Sequence, residues 1–185
     1  MLFRSTQSRE PAPWYQHEEI GYNYRMSNII AGVVRGQIPY LEEHIARKKV
    51  IYERYRAGLC DLPVTMNSYD AKTMEPNFWL SCMLIDECAM CRQDRGDLVS
   101  NYISEPGKTC PDEVLETLSN YNVQARPIWK PMHLQPLYKN SAFITRDGID
   151  VGADIFQRGL CLPSDNKMTV EEQEQVIEIV RSCFA

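Results

Sequence analysis

The sequence predicts an α+β fold: a long helix, interrupted once, followed by a small, mostly antiparallel sheet with helices on one face. Three observations carry this. Apolar or aromatic residues recur at helical steps from Ile30 to Leu59. Three short runs rich in branched and aromatic residues follow. The chain then closes on a strongly marked amphipathic helix.

The first twenty residues are rich in Pro, Gln and Glu, and "EPAP" at 10–13 cannot continue a helix, so an extended or looped segment is expected. Ser27 or Asn28 can then cap a helix by accepting a bond from an orphan N–H. Beyond it, Ile30, Val34, Ile38, Leu41, Ile45, Tyr52, Tyr55 and Leu59 follow one another at steps of three, four or seven, which lines one helix face. Pro39 removes one N–H and clashes with the preceding turn, so a kink or a join between two helices is expected near residues 38–40.

Residues 62–76 read as a connection, and "NFWLSCMLID" at 77–86 as a strand. Residues 88–110, with Gly96 and Gly107, are the least regular part. "PDEVLETLSNY" at 111–121 reads as a helix with proline at its first position and acids in its first turn. "VQARPIW" at 123–129 and "RGLCLPSD" at 158–165 read as two further strands. The last helix starts at Thr169 with Glu172 three residues on, a capping box, and carries Val176, Ile177, Val180 and Phe184 as its apolar stripe. The chain divides into an extended segment (1–26), a long helical region (27–60) and a small α+β domain (61–185).

The 185 residues make about one ordinary domain, and a hydrophobic share of 44% suffices for a core. A net charge of −5 without a polybasic run argues against nucleic-acid binding. "ARKK" at 46–49 lies among glutamates on a helix and reads as a solvated face. With no secretory apolar region at the start and no run long enough to span a membrane, the reading is a cytoplasmic protein. Seven cysteines at irregular spacings fit reduced thiols rather than a disulfide framework. Cys88, Cys91 and Cys110 fall short of the four ligands of a structural zinc site, so no metal is expected.

Two stretches carry chemistry. In "GYNYR" at 21–25, Asn23 offers a donor and an acceptor, and Arg25 a planar cationic fork suited to phosphate or carboxylate. A helix-entry turn, with Asn23 bonding local backbone, is the other reading. In "RPIWKPMHLQPLY" at 126–138, three prolines stiffen a loop that presents Trp129, His133, Gln135 and Tyr138. A ligand-holding loop and an ordered loop closing a sheet edge fit it equally.

These stretches, in this order, resemble the DegT/StrS family of pyridoxal phosphate-dependent sugar aminotransferases. "QHEEIGYNYRMSNIIAGVVRGQI" at 16–38 is similar to the family's middle segment, 126–138 to its later substrate loop, and "RGLCLPSDNKMTVEEQEQVIEIV" at 158–180 to its C-terminal strand and helix. The resemblance implies the small C-terminal domain of a fold-type I aminotransferase. Such enzymes work as dimers with active sites at the subunit interface. They move an amino group, commonly from glutamate, to a keto group on a nucleotide-linked sugar, with pyridoxal phosphate as electron sink. It further implies that Asn23 and Arg25 reach the cofactor phosphate or the substrate across the dimer interface. His133, Gln135 and Tyr138 would lie near the sugar nucleotide.

In the family the imine-forming lysine precedes the segment that resembles "GYNYR", whereas the twenty residues before Gly21 contain no lysine. Lys130 belongs to the later motif and the wrong domain. The resemblance therefore covers the family's C-terminal portion, with two expectations. One is a part of such an enzyme that is inactive alone. The other is a non-catalytic assembly module that dimerises or pairs with a separate cofactor-binding half.

Overall fold

The computed structural model of the protein describes residue 10 and residues 12–19, 26–96 and 98–185. Helix α1 (Asn28–Gln37) begins where Ser27 Oγ accepts from the Ile30 N–H at 3.3 Å. A 3₁₀ turn, Ile38–Tyr40, holds Pro39 and joins α1 to α2 (Leu41–Gly58). The proline thus yields two helices in place of one. They differ sharply: α2 buries Ile51, Tyr52 and Tyr55, whereas no residue of α1 is buried.

The main sheet has four strands in the order β1-β2-β6-β5, every neighbouring pair antiparallel. They are β1 (Val64–Met66), β2 (Ser81–Ile85), β5 (Arg126–Pro127) and β6 (Gly159–Leu162). Along β2 burial alternates, and Met83 and Ile85 face a core shared with Leu160 and Leu162 of β6. Three helices cover this face. Tyr55 comes from α2 and Leu59 from its C-cap, Val114 and Leu118 from α3 (Pro111–Asn120), and Val176 and Val180 from α5 (Val170–Ser182). Burying each such aliphatic side chain is worth about 1.5–3 kcal/mol. Thr169 and Glu172 form both bonds of the capping box, at 3.1 and 2.8 Å. Polar ties fix the helices: Tyr55 Oη donates to the Pro163 carbonyl at 2.9 Å, and buried Gln173 donates to the Ile51 carbonyl at 2.7 Å.

Five elements differ from the sequence reading. Strand β1 lies within the stretch read as a connection; three residues are too short to show a period. Within the stretch read as irregular, β3 (Arg92–Arg95) and β4 (Ser100–Ile103) form an antiparallel hairpin. Its first strand is wholly polar, so no apolar alternation marks it. Its inward side chain is Arg95, 1% exposed, bonded to Asp112 of α3 through Nε and Nη2, both at 3.0 Å. Helix α4 (Val151–Arg158), left unassigned by the sequence, starts where Asp150 Oδ1 accepts from the Ala153 N–H at 2.9 Å. The strand expected over 123–129 shortens to two residues, because Pro127 and Pro131 leave little N–H to donate to a ladder.

Strand β6 is buried on both faces. At Gly159 an added Cβ would lie 2.5 Å from the Ile155 carbonyl oxygen and 2.7 Å from the Ile128 side chain. Only glycine lets α4 and the 126–138 motif close on the sheet here. Gly159→Ala is expected to destabilise by about 1–3 kcal/mol in denaturant unfolding. Gly36→Ala on α1, where nothing lies within 4 Å, should be neutral or stabilise by up to about 1 kcal/mol.

Candidate functional site

The stiff motif at 126–138 is built as two consecutive 3₁₀ turns, Met132–Leu134 and Pro136–Tyr138, after β5. Residues 12–19 lie against it. Gln135 is 5% exposed, and its amide is fully engaged. Oε1 accepts from the His17 N–H at 3.0 Å, while Nε2 donates to the carbonyls of Tyr15, at 2.8 Å, and Lys130, at 3.2 Å. A second amide, buried Gln16, accepts at Oε1 from Trp14 Nε1 at 3.0 Å and from Lys130 Nζ at 2.8 Å.

Trp14, 1% exposed, packs edge-on against Phe156 of α4, ring centroids 5.6 Å apart. The Arg95 guanidinium lies over both rings and donates to the Phe156 carbonyl at 2.6 Å. The motif, residues 12–19, the hairpin and α4 thus form one polar and aromatic unit. His133 stacks on Phe143 at 3.6 Å, and its Nε2 lies 2.6 Å from Asp150 Oδ2. The Ala153 N–H, and then His133, hold the Asp150 carboxyl below its ordinary value of 3.8. Tyr138 is half-buried in the second turn.

An open cavity of about 670 Å³ adjoins the unit, lined by Tyr15, Ser100, Tyr102, Ser119, Arg126 and Pro127 among others. His133, Gln135 and Tyr138 are not among its lining residues. The structure therefore brings His133, Gln135 and Tyr138 together on one motif but turns Gln135 inward. Asn23 and Arg25 lie outside the described residues. The sequence reading missed Asp150, although an aspartate before "VGAD" is a helix-start signal. It also missed Trp14 and Gln16, which nothing local marks.

Of the cysteines, Cys88 is exposed while Cys91 and Cys110 are buried. Burial pushes the Cys91 thiol up to about 12. Among the described residues no three His, Cys, Asp or Glu side chains are grouped to hold a metal ion. Nor is any described helix long and apolar enough to cross a membrane.

Comparison with known proteins gives a consistent result. The sequence profile of the DegT/DnrJ/EryC1/StrS aminotransferase family matches residues 1–181. A Bacillus subtilis protein described as a pyridoxal phosphate-dependent aminotransferase, EpsN, is 36% identical over 185 residues, 98% of this chain and 42% of that protein. GDP-perosamine synthase of Vibrio cholerae is 23% identical over 170 residues, 92% of this chain and 41% of that enzyme. Among solved structures, a DegT DnrJ EryC1 StrS aminotransferase from Brucella abortus superposes with a TM-score of 0.66 at 20% identity. That match covers 92% of this chain and 39% of the Brucella chain. The chain spans about two fifths of the length of the relatives it matches.

Two outcomes follow from the geometry. Gln135→Ala leaves the His17 N–H and the Tyr15 carbonyl without their partner. It should cost about 1–3 kcal/mol and speed limited proteolysis within residues 12–19. Because the Asp150 carboxyl is depressed in the folded state, its contribution to stability is complete above the ordinary carboxylate range. It is lost as pH falls below about 3.8. The Ala153 amide resonance should follow that titration, and in Asp150→Asn it should not.

Proposed function

Because the chain belongs to the DegT/DnrJ/EryC1/StrS aminotransferase family, we propose that it is the C-terminal part of a pyridoxal phosphate-dependent aminotransferase acting on a nucleotide-linked keto sugar. The observation that carries this is the pairing of nearly complete coverage of this chain with two-fifths coverage of its relatives. GDP-perosamine synthase, by its name, makes a nucleotide-linked amino sugar, which supports the substrate class.

When bound, pyridoxal phosphate supplies an electron sink; the protein must supply an amine for the imine and a carboxylate for the ring nitrogen. The lysine of the candidate site does not fit that demand. Lys130, the lysine of the candidate site, is bonded to Gln16 and lies against the Trp14 ring. Lys48, on α2, is bonded to the Ser164 carbonyl. No step through the cofactor is therefore assigned to these residues.

In this reading the chain contributes binding groups. Asn23 and Arg25 reach toward the cofactor phosphate or the substrate, and His133 and Tyr138 lie near the sugar nucleotide. Gln135 acts indirectly, holding residues 12–19 against the motif.

A specific observation supports the assembly side of the proposal. Ile29, Ile30, Val33, Val34, Ile38 and Leu41 are all at least half exposed, an apolar stripe continuous across α1 and the 3₁₀ turn. Such a face is covered in a complete assembly, and a cofactor-binding part of this family's architecture is the occupant proposed here.

The chain alone, mixed with pyridoxal phosphate and glutamate, is expected to show no amino transfer. Borohydride should trap no adduct at any particular lysine; a site-specific adduct would overturn the inactivity. Adding the separately produced cofactor-binding part of the Bacillus relative should give a complex by light scattering. Val33→Asp should abolish that complex while changing the chain's own stability by no more than about 0.5 kcal/mol, since Val33 lies outside the core.

A further inference from the structure

We propose that Trp79, Trp129 and Tyr15 form a stacking platform for a nucleobase, which, on the reading above, is the base of the nucleotide-linked sugar. The three rings come from three separate segments. Trp129 of the stiff motif stacks on Tyr15 with centroids 6.3 Å apart and planes 16° apart. Trp79, just before β2, lies 5.7 Å from Trp129 at 33°. Trp79 is 63% exposed and Trp129 is 45% exposed. Two neighbouring indoles left this open on a rigid surface cost solvation that a bound ring would restore.

Each ring is held in place. Phe78 has a φ of +52°, a left-handed conformation that a bulky side chain adopts only when its surroundings impose it. There Phe78 packs on Tyr52 and Tyr69, while Trp79 stands outward beside Trp129. Asn77 Oδ1 accepts from the Trp79 N–H at 3.0 Å and fixes the turn. One buried side chain, Gln135, grips the Tyr15 carbonyl and the carbonyl of Lys130, next to Trp129. Pro127 and Pro131 limit the backbone on either side of Trp129.

The occupant follows from size and charge. Rings about 6 Å apart present a surface that one or two planar heterocycles would cover, too small and too broken for a partner helix. The platform borders the 670 Å³ cavity through Tyr15, and Arg126 lines that cavity with an exposed side chain. Asp112 also lines it, but is paired with Arg95. Glu116 lines it too, accepting from Tyr102 Oη at 2.6 Å. A planar base with an anionic tail, a nucleoside diphosphate, matches aromatic faces of which one, Tyr15, lines the cavity that the Arg126 side chain also lines.

The three indole N–H resonances of the full chain provide the test. Trp14 is an internal control, buried with its N–H given to Gln16. Titration with UDP, GDP or dTDP should shift the Trp79 and Trp129 resonances and leave Trp14 in place. Pyrophosphate and ribose 5-phosphate should shift neither. Trp129→Ala or Trp79→Ala should weaken nucleotide binding about tenfold, the size of one base–aromatic stack. Trp129→Phe, which keeps a ring face, should lose less and serves as the folding control.

No shift with any nucleotide, equal shifts with base-free phosphates, or binding undiminished in both alanine variants would each overturn the platform. The substrate reading fails separately. If nucleosides bind the platform but an attached diphosphate sugar adds nothing, the platform stands and the nucleotide-sugar assignment falls.

Discussion

The burial of β6 on both of its faces is the constraint from which the rest of the structure follows. A short strand, Gly159–Leu162, lies between β2 and β5 with all four residues buried. Leu160 and Leu162 require a covered apolar face on one side, and α2, α3 and α5 supply it. Gly159 and Cys161 lie on the other. There the absent side chain of Gly159 is the space that Ile128 and the end of α4 fill. The stiff motif is therefore a structural layer of the domain as well as its most chemically equipped segment. Its position is set by contact with the sheet.

Polar groups then decide how the outer layer is ordered. Arg95, almost wholly buried, pairs with Asp112 and reaches the Phe156 carbonyl and the Trp14 ring. A buried guanidinium is tolerated only when its donors are met, so these four elements must stay together. Gln135 does the same for residues 12–19 and the motif through three bonds to backbone. Such amides contribute little net energy when satisfied but cost 1–3 kcal/mol or so when orphaned, which makes them registers rather than glue. Here they fix the segment immediately before "GYNYR" against the loop that carries His133 and Tyr138.

The molecule is uneven in a way that bears on function. Beyond the Pro39 turn, α2 is sunk into the core, while α1 exposes its apolar side chains. A helix of this composition has no reason to be apolar for its own domain's sake. That asymmetry agrees with the two-fifths coverage of longer relatives. Both fit the proposal that a further part of the family's architecture covers α1. The domain's outer side carries aromatic rings, a histidine held by a carboxylate, and cations.

The sequence by itself determined the elements whose signals are local. The capping box at Thr169, the proline at the start of α3, the break at Pro39 and the apolar run of β2 each need only neighbours a few residues apart. The residue types of the stiff motif, and the family they resemble, were legible for the same reason. The polar hairpin β3–β4 was not, because its inward residue is an arginine whose partner lies 17 positions on. Nor was the use of Gln135, which looks like a ligand-facing amide until residues 118 and 120 positions away claim both of its ends. Propensity and period fix what a segment is. Only tertiary structure decides what its side chains spend their hydrogen bonds on, because those partners are brought together by the burial of β6 and not by the order of the chain.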